Sequence, residues 1–192
     1  FKILYSSCYI PSEGEHKILQ YIKNKEHYNN YIIYGLDADL IFLSLASLKK
    51  NVYLLRESNI VNKEENKIKL SLISMDEIKK YIILELKYQI KLDFDHDKII
   101  IDFIFICFLI GNDFLPKVPS VDIYAKNKLI NGLDLLIYCY CKTFNIYNNY
   151  IINILNNEIK FNIDTLINFI DNLIIFENDY FKKRYIFNTN KK

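Results

Sequence analysis

Tyr31-Ile32-Ile33-Tyr34-Gly35-Leu36-Asp37-Ala38-Asp39-Leu40-Ile41-Phe42-Leu43-Ser44-Leu45-Ala46 is the stretch on which the fold turns. Its opening is short, apolar, β-branched and aromatic, the composition of a buried strand. From Leu40 onward it reads as the start of a helix. Gly35 eases the turn, so Asp37 and Asp39 fall where a strand ends and a helix begins. In open parallel sheets, ligands bind in the crevice outside the carboxyl ends of the strands. Two carboxylates fixed there are costly unless something cationic neutralises them. The first expectation is therefore a divalent metal ion.

The rest of the composition sets bounds. A chain of 192 residues allows one domain with a sizeable core, or a piece of a larger one. It opens Phe1-Lys2-Ile3 without an initiator Met, which reads as a piece. The formal charge of +2 decides nothing about partners, because any functional charge must be local. Cys8, Cys107, Cys139 and Cys141 lack the CxxC spacing of a structural zinc site. Three of them lie in apolar runs, as reduced thiols buried in an intracellular protein would. There is no signal-peptide pattern. The most apolar run, Ile99 to Ile110, contains Asp102 and falls short of the roughly 20 residues needed to span a bilayer. No membrane association is expected, and the cytoplasm and the nucleus are equally open.

Working outward, Phe1 to Tyr5 reads as a short strand and Ser6 to Ser12 as a loop broken by Pro11. In the segment that follows, Ile18, Leu19 and Ile22 share one helical face. Glu13 and Glu15 at its start have an ordinary explanation, since acids complement the positive end of a helix. They gain interest because they sit, like Asp37 and Asp39, at the entrance to a helix. Asn51 to Glu57 is a third strand, and Ser58 to Lys69 a charged surface loop. Ser74 with Glu77 has the spacing of a capping box opening a long helix. Asp93, Asp95 and Asp97 alternate, but no EF-hand Gly or Glu follows, so a solvated loop with an N-cap Asp is expected.

Lys98 to Ile110 is apolar nearly all round, the pattern of a buried helix. It ends at Gly111-Asn112-Asp113-Phe114-Leu115-Pro116, which fixes Asp113 just beyond a buried element. The remainder reads as helices: Leu129 to Cys141, Ile151 to Leu155, and Asp164 to Lys183. The last is capped by Asp164 and buries Leu166, Phe169, Ile170 and Leu173. Lys182-Lys183-Arg184 is explained by its place at a helix C-terminus. The expected class is α/β, a parallel sheet flanked by helices with a mostly helical C-terminal half. Residues 1–120 would form the core carrying the acids, and 121–192 its helical continuation.

Five carboxylates remain: Glu13, Glu15, Asp37, Asp39 and Asp113, each at the edge of a hydrophobic element. Metal-assisted phosphodiester cleavage is the chemistry that needs such a group. Hard oxygen ligands suit Mg²⁺ or Mn²⁺, and two ions about 3.5–4 Å apart can serve both the attacking water and the leaving oxygen. A phosphatase-like hydrolase uses the same ligands, and acids that merely cap helices are the structural alternative.

Pro11-Ser12-Glu13-Gly14-Glu15-His16-Lys17-Ile18, Tyr34 to Leu40 and Tyr53-Leu54-Leu55-Arg56-Glu57 resemble, in order, the nuclease core of the XRN family of 5′→3′ exoribonucleases. Asp102 to Pro116, Pro119-Ser120 and Phe181-Lys182-Lys183-Arg184 extend the resemblance over most of the chain. It implies a fold related to PIN domains and flap endonucleases, with the five acids on the family's metal-binding positions holding two ions of Mg²⁺ or Mn²⁺ and no side-chain nucleophile required. It also implies single-stranded RNA with a 5′-monophosphate as substrate, hydrolysed stepwise to nucleoside 5′-monophosphates in RNA decay or processing. Two departures stand out. Ser12 occupies a position where the family usually has Gly. The family's first acids and its basic 5′-phosphate pocket precede the matched segment, so these residues are expected to be inactive alone. A flap-endonuclease-like enzyme and a non-catalytic RNA-binding or scaffold copy are the alternatives.

Overall fold

The computed structural model describes residues 3–25, 29–58, 69–123, 131–156 and 158–189. It divides into two compact units, Phe1–Lys80 and Tyr81–Lys192.

The first unit is built on a three-stranded sheet in the order β1-β2-β3. β1 (Tyr31–Tyr34) pairs in parallel with β2 (Val52–Ser58), Ile33 opposite Leu54. β3 (Lys69–Ser74) runs antiparallel to β2, Ile73 opposite Leu54. Side chains of successive strand residues point to opposite faces, which puts Ile33, Val52 and Leu54 on one side. There they meet Ile22 of α1 (Gly14–Lys23), Leu40 of α2 (Asp39–Ala46) and Met75, which opens α3 (Met75–Gln89).

The sheet is mixed, where the sequence pattern pointed to parallel strands alone. The parallel β1–β2 pair agrees with that reading. β3 went unrecognised because Leu70, Leu72 and Ile73 follow directly on a charged run. β1 was expected in the centre, but it lies at one end of this sheet. Residues 3–7 form no strand, which corrects the reading of Phe1–Tyr5 as far as the described residues extend. Their apolar side chains Ile3, Leu4 and Tyr5 are all exposed. The expected cap at α3 is present, with Glu77 N–H donating to Ser74 Oγ at 3.4 Å, one of the two bonds of a capping box.

The second unit is mainly helical. Asp95 caps α4 (His96–Cys107), its Oδ1 accepting from the backbone N–H groups of Asp97 at 2.8 Å and Lys98 at 3.0 Å. Those two bonds hold its carboxyl below the usual range despite some desolvation. A 3₁₀ turn, Phe108–Ile110, continues the helix to Gly111. α5 (Gly132–Tyr147) starts at an Asn131 cap and ends at Asn148 in the left-handed region. α6 spans Ile163–Thr189.

Ile151–Leu155, expected to be helical, is instead the first arm of a hairpin. β4 (Ile152–Leu155) pairs antiparallel with β5 (Glu158–Phe161). A five-residue apolar run has too few turns to betray its period. Asn162, two residues before the expected cap Asp164, supplies the side-chain acceptor at the start of α6, receiving Thr165 N–H at 3.2 Å. Phe169 and Leu173 are buried as expected, whereas Ile170 is 42% exposed. Residues 124–130 and the side chains of Lys183 and Arg184 lie outside what is described.

Asp102 is the polar knot of this unit. Its Oδ2 accepts from the Tyr140 hydroxyl and from Ile151 N–H, both at 2.8 Å, and its Oδ1 from Ile152 N–H at 2.8 Å. One fully buried carboxylate thereby ties α4 to α5 and to the start of the hairpin. Among the described residues, no helix is long and apolar enough to cross a membrane.

Candidate acidic site

Four of the five acids singled out in the sequence come together in the first unit. Glu13 is the N-cap residue of α1, with extended backbone and no side-chain capping bond. Glu15 lies in the first turn of the same helix, and Asp39 is the first residue of α2. Both acid pairs therefore stand at positive helix ends, which lowers the cost of gathering negative charge there. Asp37 is exposed on the turn between β1 and α2.

The electrostatics of Glu15 register the convergence. Partial burial raises its carboxyl above the ordinary value, and Asp37, Glu13 and Asp39 each raise it further. Only His16 acts in the opposite direction among the causes of that shift. Carboxyl oxygens of Glu13 and Glu15 and a ring nitrogen of His16 all lie within 4.8 Å of one another. The nearest His16–Glu13 approach is Nε2 to Oε2 at 3.7 Å. Carboxylates grouped in this way suit a hard divalent cation such as Mg²⁺ or Mn²⁺.

The backbone that presents these acids is itself constrained. Ser12, immediately before Glu13, has φ +91°, a region that favours glycine. The departure noted at this position thus keeps the glycine conformation and places a side chain on it. Lys17 reaches back from α1, its Nζ donating to Ile10 O at 2.6 Å and Ser7 O at 3.2 Å. A Cβ on Gly35 would collide with Leu40 Cδ1, so the glycine leaves room for the Leu40 side chain beside the end of β1.

β2 contributes contacts that pattern reading did not assign. Gly35 N–H donates to Leu55 O at 3.2 Å, Arg56 Nη2 donates to Leu36 O, and Tyr34 O–H donates to Glu57 Oε1 at 2.6 Å. The Glu57 carboxylate keeps the proton on Tyr34, raising the pKa of that phenol. Tyr34 and Tyr53-Leu54-Leu55-Arg56-Glu57 were both visible as motifs, but their pairing depends on strand register.

Asp113 belongs to the second unit. It is exposed in the turn after Gly111, whose φ is +89° and whose added Cβ would stand 2.7 Å from Lys117 N. Asn112 Oδ1 shapes this turn by accepting from Phe114 N–H at 2.9 Å and Leu115 N–H at 2.8 Å.

The chain is thus α/β, with carboxylates at the entrances of two helices, the second of which follows the parallel strand β1. Residues 93–192 match the family described as the Xrn1 helical domain, and residues 1–58 match the XRN 5′-3′ exonuclease N-terminus. The chain belongs to the XRN family. A relative from Yarrowia lipolytica named 5′-3′ exoribonuclease 2 is 40% identical over 68% of this chain and 14% of its own length. Relatives of the same name are 31% identical over 100% of the chain in Kluyveromyces lactis and 32% identical over 95% in Arabidopsis thaliana. Each of these two matches spans 21% of the relative's own length, so the chain corresponds to about a fifth of either protein.

Proposed function

We propose that this chain is part of a metal-dependent 5′→3′ exoribonuclease, acting on single-stranded RNA with a 5′-monophosphate and releasing nucleoside 5′-monophosphates. The observation that carries the reading is the approach of Glu13 and Glu15 at the entrance of α1, with Asp37 and Asp39 close enough that each raises the Glu15 carboxyl. The names of the relatives support the direction and the substrate class. The fold reading that accompanies it is a PIN- and flap-endonuclease-related domain.

Glu13, Glu15, Asp37 and Asp39 would hold Mg²⁺ or Mn²⁺, two ions being the reading for the complete enzyme, and Asp113 is proposed as a metal-binding acid on its GNDFLP motif alone. Bound ions supply activation of the attacking water and neutralisation of charge on the leaving oxygen. The protein's part is to hold the acids rigidly, through the α1 and α2 N-termini, so that the scissile phosphate is aligned. A misplacement of about 1 Å can cost roughly a hundredfold in rate. No side-chain nucleophile is required, so Cys8 and His16 need no catalytic assignment. RNA is the proposed partner, in the cytoplasm or the nucleus.

The test grafts these 192 residues in place of the corresponding segment of the Kluyveromyces lactis relative. The graft should release mononucleotides from 5′-monophosphorylated RNA in Mg²⁺, and Asp37→Ala within it should abolish release. Undiminished digestion by the Asp37→Ala graft would overturn the assignment. The isolated chain, about a fifth of the length of these relatives, is expected to release negligible mononucleotide.

A further inference from the structure

We propose that Arg56 is a positioning residue for the acidic site, its guanidinium holding the peptide that presents Asp37. The inference rests on the metal-site reading above and adds to it a residue outside the acids.

The chain has to pass from β1 into α2 through Gly35-Leu36-Asp37-Ala38. Packing does little to fix this passage, since Leu36 is 56% exposed. The neighbouring strand does the work. Leu55 O receives Gly35 N–H, Arg56 Nη2 donates to Leu36 O, and Glu57 Oε1 receives the Tyr34 hydroxyl. Three successive residues of β2 thus hold three successive residues leaving β1.

The Arg56 contact reaches furthest along the turn. The Leu36 carbonyl and the Asp37 N–H belong to one planar peptide. Fixing that carbonyl therefore fixes the plane from which the Asp37 Cα and its carboxylate project. A backbone carbonyl is an unusual target for a surface arginine if its task were only to pair with an acid. The planar fork of a guanidinium has a fixed donor direction that an ammonium lacks.

The experiment measures Mn²⁺ affinity of the 192-residue chain by calorimetry, alongside the melting temperature without metal and the Asp37 and Asp39 amide resonances. Arg56→Met should weaken Mn²⁺ binding by about tenfold, the lower end of losses seen when groups supporting a ligand are removed. It should move both amide resonances and leave the metal-free melting temperature unchanged. Arg56→Lys should recover part of the affinity. If Arg56→Met does not fold, Arg56→Gln makes the same comparison. Unaltered Mn²⁺ affinity in the Arg56 variants, while Asp37→Asn loses binding, would overturn the proposal and leave the metal site standing. Loss of affinity matched by a fall in metal-free melting temperature would also overturn it, assigning Arg56 to general stability. Retention of binding by Asp37→Asn would instead remove the metal site at Asp37, and the role of Arg56 with it.

Discussion

Replacing Asp102 by Asn should flatten a pH dependence that runs against the usual behaviour of acids. Asp102 is fully buried, and desolvation raises its carboxyl from 3.8 to about 6, the bonds from Ile151 N–H, Tyr140 O–H and Ile152 N–H pulling the other way. Because the folded value lies above the unfolded one, the contribution is full below about pH 3.8 and is lost as pH rises through about 6. A difference of about 2 pH units corresponds to roughly 3 kcal/mol. Urea unfolding of the wild type and of Asp102→Asn should be followed from pH 3.5 to 7.5. The advantage of wild type over variant should shrink by roughly that amount across the interval and then level off. Asp102→Asn should also carry a pH-independent cost of about 1–3 kcal/mol, since an amide offers one acceptor oxygen where two are used. A wild-type advantage that is constant with pH, or that grows as pH rises, would refute the reasoning.

Ser12→Gly should stabilise the chain by about 1 kcal/mol in denaturant unfolding, because it removes a side chain from a backbone at φ +91°. Gly35→Ala should cost about 1–3 kcal/mol in the same assay, since the new Cβ would drive Leu40 out of a position where it is 5% exposed. Of the four cysteines, Cys8 alone is exposed, and burial pushes Cys107 and Cys141 up to about 12 and Cys139 to about 11. A thiol reagent at neutral pH should therefore modify Cys8 quickly and the other three only on unfolding, as mass spectrometry of timed digests would show.

The parts legible in the sequence were those governed by local chemistry. Tyr31-Ile32-Ile33 announced a strand, Ser74 and Asp95 marked helix starts, and the apolar run through Phe103 and Ile106 announced a buried helix. β3 and the β4–β5 hairpin were missed because short apolar runs become strands only by pairing, and Leu54 opposite Ile73 is a fact of register. The acids at the α1 and α2 entrances could be named from their spacing. The bonds from Arg56 and Glu57 to the end of β1 could not, because β2 follows β1 by a whole helix and meets it only through the parallel ladder.

The most direct test of the account is the melting temperature of the 192-residue chain with and without Mg²⁺ or Mn²⁺. A ligand at about a hundred times its dissociation constant stabilises the folded state by about 2.7 kcal/mol, which for a chain of this size is a rise of roughly 5–10 °C. That rise should appear in the wild type and vanish in Glu15→Gln and in Asp37→Asn. An undiminished rise in both variants would contradict the claim that these carboxylates hold the ion.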